Sequence, residues 1–141
     1  MSRSGYSEDY EQWSAIMWRG AVRSAIRGKR GQAFLREMLE ALDALPKKRL
    51  ISYSIVERDL ETGYVEVCAI GAVAVRRALD VKGLDPEERE LVAARFGIAP
   101  ALAAEIAYEN DEAHYYSETP EHRFLRVRAW VVEQISDGAA Q

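Results

Sequence analysis

Four prolines constrain this chain more than any other residues in it. A proline inside a helix removes one backbone hydrogen bond and its ring clashes with the preceding turn, so helices stop before it or start on it. Pro46 follows a run with helical periodicity and stops it, whereas Pro86, Pro100 and Pro120 stand where helices begin. Asp85-Pro86-Glu87-Glu88 combines an N-cap acceptor, a proline at the first helical position and a Glu at the third, and the helix it opens is expected to end at Gly97. The Pro100 helix should run to about Glu109, and Thr119-Pro120-Glu121 should open a last helix that ends near Ser136.

Ahead of Pro46 the periodicity predicts two more helices. From about Glu8 to Ile26, Tyr10, Trp13, Met17, Gly20, Ala21 and Ser24 share one face, and Trp18, Val22 and Ile26 form a second apolar row. A helix apolar around most of its circumference is expected to be central, with Trp13, Trp18 and, from the last helix, Trp130 largely buried. Gly28 and Gly31 should break or kink it. The next helix, Gln32 to Leu45, turns Phe34, Leu35, Met38, Leu39, Leu42 and Leu45 inward, with Lys47, Lys48 and Arg49 near its negative dipole end.

Between Leu50 and Val67 the alternation of β-branched and aromatic residues around Glu61-Thr62-Gly63 predicts a β-hairpin, and the small, apolar Cys68 to Leu79 stretch predicts a tightly packed helix. The fold class is therefore mainly α, with α+β as the alternative: about six helices and one hairpin in a single domain over 1–141, with mobile tails at 1–7 and 137–141. At 141 residues with 48% hydrophobic content, the chain is long enough for one buried core and short for two.

Charge narrows the function classes. The net charge of -4 disfavours a uniformly basic nucleic-acid binder, but residues 1–50 carry ten basic and six acidic side chains, against nine and seventeen in 51–141. One cysteine, Cys68, excludes an internal disulfide, and with no apolar core in Met1 to Tyr10 the expected compartment is a reducing cytoplasm. No apolar run approaches the roughly 20 residues that a membrane-spanning helix needs.

The block from Trp18-Arg19-Gly20-Ala21-Val22 through Ile26-Arg27-Gly28-Lys29-Arg30-Gly31-Gln32, continuing into Phe34-Leu35-Arg36-Glu37-Met38-Leu39 and Ala41 to Pro46, resembles a block in small uncharacterised proteins of tailed bacteriophages and prophages. Cys68-Ala69-Ile70-Gly71-Ala72, followed by Ile106, Asn110-Asp111 and Thr119-Pro120-Glu121, resembles a second bacterial domain family with a Cys-Ala-Leu-Gly-Ala segment and a downstream Asn-Asp, with Ile70 at the usual Leu. The resemblances imply a bacteriophage context and an accessory role such as modulating a host or defence protein. They bring no catalytic residue.

Two surfaces are candidates for binding. Arg19, Arg23 and Arg27 at i, i+4 spacing align three guanidinium forks on one helix face, with Lys29 and Arg30 close behind, a surface for carboxylates or phosphates or a solvated helix sector. Tyr108, Glu109, Asp111, Glu112, Tyr115, Tyr116 and Glu118 form an acidic-aromatic stretch suited to a protein interface. Other motifs have plainer readings. Gly28-Lys29-Arg30-Gly31 lacks the spacing of a phosphate loop. Leu91 to Ile98 followed by the Pro100 helix imitates a helix-turn-helix, but its second helix would offer Ala99 to Glu105, with nothing to donate to a base edge. Cys68 with His114, His122 and Asn110 contains the residue types of a cysteine enzyme, yet Cys68 sits where a small core residue packs well. Asp111, Glu112, His114, Glu118 and His122 match no standard metal spacing, so no metal and no cofactor are expected. Asn110-Asp111 is better suited to cap the helix after Cys68. The function expected is that of a non-enzymatic bacteriophage accessory protein that binds a host protein, for example as an inhibitor of a defence system such as CRISPR-Cas. The alternative is a nucleic-acid-binding accessory protein that uses the arginine row. The oligomeric state is open.

Overall fold

A computed structural model describes residues 11–114 and 117–136. The order is α1 (Glu11–Arg27), α2 (Lys29–Asp43), β1 (Val56–Arg58), β2 (Val65–Val67), α3 (Ala69–Arg77), α4 (Arg89–Phe96), α5 (Pro100–Asp111) and α6 (Pro120–Gln134). The mainly α architecture with one hairpin is as the sequence predicts. The expected tails at 1–7 and 137–141 lie outside the described residues, as do Tyr115 and Tyr116.

The hydrophobic core is built around α2, whose Leu35, Met38 and Leu42 are fully buried. To it α3 contributes Val73, α4 Val92 and Phe96, α5 Leu102 and Ile106, and α6 Phe124, Val127 and Val131. The two strands pair antiparallel, with Val56 opposite Val67. The turn between them closes through Gly63 at φ +72°, where a side chain would be strained. The hairpin ladder is much shorter than Leu50 to Val67: the Ile51 amide still donates to the Val67 carbonyl at 2.9 Å, but Leu50 and Tyr53 bond to α6 and α5. The Leu50 amide donates to the Pro120 carbonyl, and the Tyr53 amide donates to Asp111.

Two helix boundaries depart from expectation. Asp85 does accept from the Glu87 amide at 2.9 Å, as an N-cap would, but the chain makes only a turn there. Glu88 is non-helical (φ -84°, ψ 77°), and α4 starts at Arg89. The second departure is at the glycines. Gly28 is extended (φ -65°, ψ 159°), so α1 stops and α2 begins on a new axis at Lys29 rather than at Gln32. At Gly31 a Cβ would overlap the Ala25 carbonyl oxygen, so only glycine lets the end of α1 lie this close to the first turn of α2.

The largest departure concerns α1, which the sequence places at the centre. It packs on α5 and on α2, and among the described residues its other side is open. Ser14 is its one buried residue among those described, and Trp13, Ile16 and Met17 are 68%, 55% and 56% exposed. Gly20, Ala21 and Ser24 continue that open face. Trp13 is thus not buried, and Trp18 and Trp130 are only partly so. The second row, Trp18, Val22 and Ile26, is the one that turns inward.

No single helix among the described residues is long and apolar enough to cross a membrane. The apolar pair α4 and α5 is bent by 108° and supplies core residues.

Candidate functional site

The arginine row lies on α1 as the i, i+4 spacing predicts. Arg19, Arg23 and Arg27 are all exposed, and no ion pair reaches them among the described residues. Lys29 and Arg30 are also exposed, but Gly28 sets them on the first turn of α2, off the axis of the row.

Beside the row, α1 and the C-terminal end of α6 enclose a cleft of about 410 Å³. Arg19, Arg23 and Arg27 form one side together with Trp18. Trp130 and Glu133 come from α6, and Glu105 reaches in from α5. Glu105 is 4% exposed, an unusual depth for a carboxylate. The Trp18 ring carries the Arg89 guanidinium at 5.1 Å, and its buried Nε1–H has no hydrogen-bond partner among the described residues.

Gln32 fixes the geometry of this cleft. Its buried side-chain amide donates to the carbonyls of Ile26 at 2.8 Å and Gln134 at 2.9 Å, and its carbonyl accepts from the Ser136 amide at 2.9 Å. One side chain thereby ties the end of α1 to the end of α6. Arg36 adds a bond to the Ser136 carbonyl at 2.9 Å. The sequence signals the arginines of this site but not Glu105, Trp130 or Gln32, because the contacts that gather them join residues far apart in the chain.

The acidic-aromatic stretch is distributed differently. Tyr108 and Glu109 are half-buried on α5, and Glu112 is exposed just after it. Asp111 faces inward, accepting from the Tyr53 amide at 2.9 Å, and burial raises its carboxyl pKa above the ordinary value. Tyr53 itself sits at φ 62°, a left-handed conformation that this bond helps to hold. Asn110 is 2% exposed and performs the capping role that the sequence predicts. Its Oδ1 accepts from the Ala69 amide at 2.9 Å, at the start of α3, and its amide donates to the Ile51 carbonyl at 2.9 Å.

Glu118 is also turned inward. Arg126 grips both its oxygens, at 2.8 and 3.0 Å, and donates as well to the Glu109 carbonyl at the end of α5. His122 Nδ1 lies 2.6 Å from the same carboxylate and Arg123 Nε lies 3.5 Å away. The Arg126 hydrogen bonds, aided by His122, hold the Glu118 carboxyl down at about 2 against the opposing effect of burial. His114, Glu118 and His122 bring their ligand atoms within 4.8 Å of one another, a convergence that sequence spacing does not signal. A metal ion there would meet the guanidinium groups of Arg126 and Arg123. The cluster is better described as one carboxylate neutralised by surrounding bases that fastens α6 to α5.

The cysteine constellation does not come together. Cys68 caps α3, its Sγ accepting from the Gly71 amide at 3.4 Å, and burial pushes its thiol up to about 12. Both histidines face Glu118 instead. The helix-turn-helix likeness also ends in packing: Gly97 makes the turn at φ 74°, but α5, where a recognition helix would be, is covered by α1, α3, α4 and α6. Compared with known proteins, the chain matches no family model, no curated protein and no solved structure.

Proposed function

We propose that this protein is a non-enzymatic bacteriophage accessory protein that docks on a host protein through the open side of α1. The observation that carries this reading is the exposure of Trp13, Ile16 and Met17 beside Arg19, Arg23 and Arg27. Trp, Met and Arg are enriched where protein interfaces are fully desolvated. Exposed apolar side chains grouped on one face mark an interaction surface more often than single ones do. The matching surface on a partner is apolar with carboxylates beside it, since guanidinium forks pair bidentately with carboxylates. With the phage resemblance of the Trp18 to Pro46 block, the favoured partner class is a component of a bacterial defence system such as CRISPR-Cas, and the favoured compartment is the cytoplasm of the host.

Affinity capture from a nuclease-treated bacterial lysate tests this. One host protein should be retained in near-stoichiometric amount, and both the Trp13→Ala/Met17→Ala pair and the Arg19→Gln/Arg23→Gln/Arg27→Gln triple should lose it. Capture that both variants retain would remove α1 from the reading. Nucleic-acid binding, the second reading, rests on the arginine row alone, because α5 packs against four other helices and the net charge is -4. It requires oligonucleotide affinity that falls with salt, with the slope flattened by roughly one per arginine removed.

A further inference from the structure

The cleft between α1 and α6 has features that a flat docking surface does not need. It is concave, about 410 Å³ in volume, within the ~300–1,000 Å³ typical of small-molecule sites. Two indoles, Trp18 and Trp130, border it. Glu105 supplies a nearly buried carboxylate, and Glu133, Gln134 and Ser136 add polar groups to a lining that is otherwise apolar or cationic. Three guanidinium groups stand along the rim on α1, and a rise of about 1.5 Å per residue spreads their backbone positions over roughly 12 Å.

We propose that this cleft binds a free nucleotide, with the base at the indoles and the phosphates on Arg19, Arg23 and Arg27. The chemistry of the cleft matches the two ends of such a ligand. A nucleobase has a flat π-face that stacks on indole, and base–aromatic stacking is tolerant of base identity. Its edge carries amino donors, which a carboxylate accepts. A carboxylate offers about four acceptor directions, so Glu105 can take a base amino group alongside a partner within the protein. Guanidinium forks bind phosphate oxygens bidentately.

A single nucleotide fits better than a strand. Glu133 stands within the same cleft, and the chain as a whole is negative. Both features oppose a long polyanion while leaving a local site for one phosphate group or a short phosphate chain. The Gln32 ties between the end of α1 and the end of α6 keep the cleft walls in place before any ligand arrives, which lowers the ordering cost of binding.

The site shares Arg19, Arg23 and Arg27 with the proposed docking face but not Trp13, Ile16 or Met17, and the test keeps the two apart through those apolar residues. The full-length protein is titrated calorimetrically with AMP, GMP, CMP, UMP and the corresponding triphosphates, with inorganic phosphate, unphosphorylated nucleosides and a short single-stranded oligonucleotide as comparators. The expected result is saturable one-to-one binding of at least one nucleotide, about tenfold or more tighter than phosphate or the matching nucleoside. Arg23→Gln/Arg27→Gln should weaken it at least tenfold, and Trp130→Leu or Glu105→Gln should weaken it or change which base is preferred. Circular dichroism confirms that each variant is folded, and the exposed arginine pair serves as the decisive variant if a partly buried substitution unfolds the chain. Trp13→Ala, on the docking face, should leave nucleotide affinity unchanged. Absence of saturable nucleotide binding, equal affinity for inorganic phosphate, tighter binding of the oligonucleotide, or affinity indifferent to the arginine pair would each overturn the proposal. Loss of host-protein capture in the Trp13→Ala/Met17→Ala pair, with nucleotide binding intact, separates this site from the docking face.

Discussion

Helices α1 and α2 are nearly equal in length, 17 and 15 residues, and only Gly28 stands between them, yet the fold uses them in opposite ways. Seven residues of α2 are buried, and its three acids are all paired across the molecule: Glu37 with Arg77, Glu40 with Arg76 and Asp43 with Arg128. The Arg77 and Arg128 pairs are bidentate, and these arginine hydrogen bonds hold the carboxyls of Glu37 and Asp43 below the ordinary range. In α1 the one buried residue among those described is Ser14, and three arginines stand in a row with no acid bridged to them among the described residues. Similar apolar content, nine residues of 17 in α1 and seven of 15 in α2, does not make two helices equally structural. The difference lies in whether neighbours cover the apolar face and neutralise the charges, and among the described residues none does so for the Trp13 face and the arginines of α1.

Substitutions should separate the two helices widely. Leu35→Ala in α2 removes a fully buried side chain and should cost about 3–5 kcal/mol, enough to unfold much of the population, as read from chemical denaturation. A loss under about 1 kcal/mol would mean that α2 is not the centre of the core.

Charge gives the next contrast, since Glu118 is held by bases whereas the α1 arginines are free of ion pairs among the described residues. The Glu118 carboxyl is depressed from 4.5 to about 2, so its contribution is complete above about pH 4.5 and disappears as pH falls through 2. The loss amounts to roughly 3 kcal/mol, and Glu118→Gln should abolish that part of the acid dependence. In the Arg19→Gln/Arg23→Gln/Arg27→Gln variant the same acid titration should match wild type.

A smaller effect is expected at Cys68. Its replacement by Ala should cost about 1–2 kcal/mol through the lost cap and packing, with binding unchanged. In the native protein the thiol should resist alkylation at neutral pH and react only on unfolding, since burial holds its pKa at about 12. Rapid native labelling would return Cys68 to consideration as a nucleophile. The smallest effect belongs to α1: Trp13→Ala should change stability by no more than about 0.5 kcal/mol. A loss of several kcal/mol would show that Trp13 is covered in solution.

What the sequence reveals follows from the range of the interactions involved. The α2 core face, the glycine break and the Pro100 and Pro120 starts are written in nearest-turn chemistry, and all are present in the structure. The Asn110 cap was also legible, because α3 lacks an oxygen-bearing N-cap of its own and a buried Asn needs partners. The orientation of α1 was not, since a helix apolar on two rows has two faces it could bury, and periodicity cannot choose between them. The choice of the Trp18 row over the Trp13 row is made by α5 and α2. At Asp85 the local signal predicts a helix start, but the chain makes only a turn there and the non-helical Glu88 delays α4 to Arg89. For Glu118 the spacing shows an acid in an acidic stretch, and the Arg123 and Arg126 side chains that make it an anchor come from the first two turns of α6.

The Asn110 side chain also bears on the order in which the molecule can assemble. Its partners at Ala69 and Ile51 precede it by 41 and 59 residues. During synthesis the hairpin and α3 therefore emerge well before the group that satisfies their backbone, and until α5 arrives the first amide of α3 must bond to water. Closing loops of this length early is entropically unfavourable, so the central third of the chain is expected to wait and then join with α5 in one step. A fragment ending before Asn110 should accordingly fail to fold as a stable piece, even though it contains most of the residues of the core.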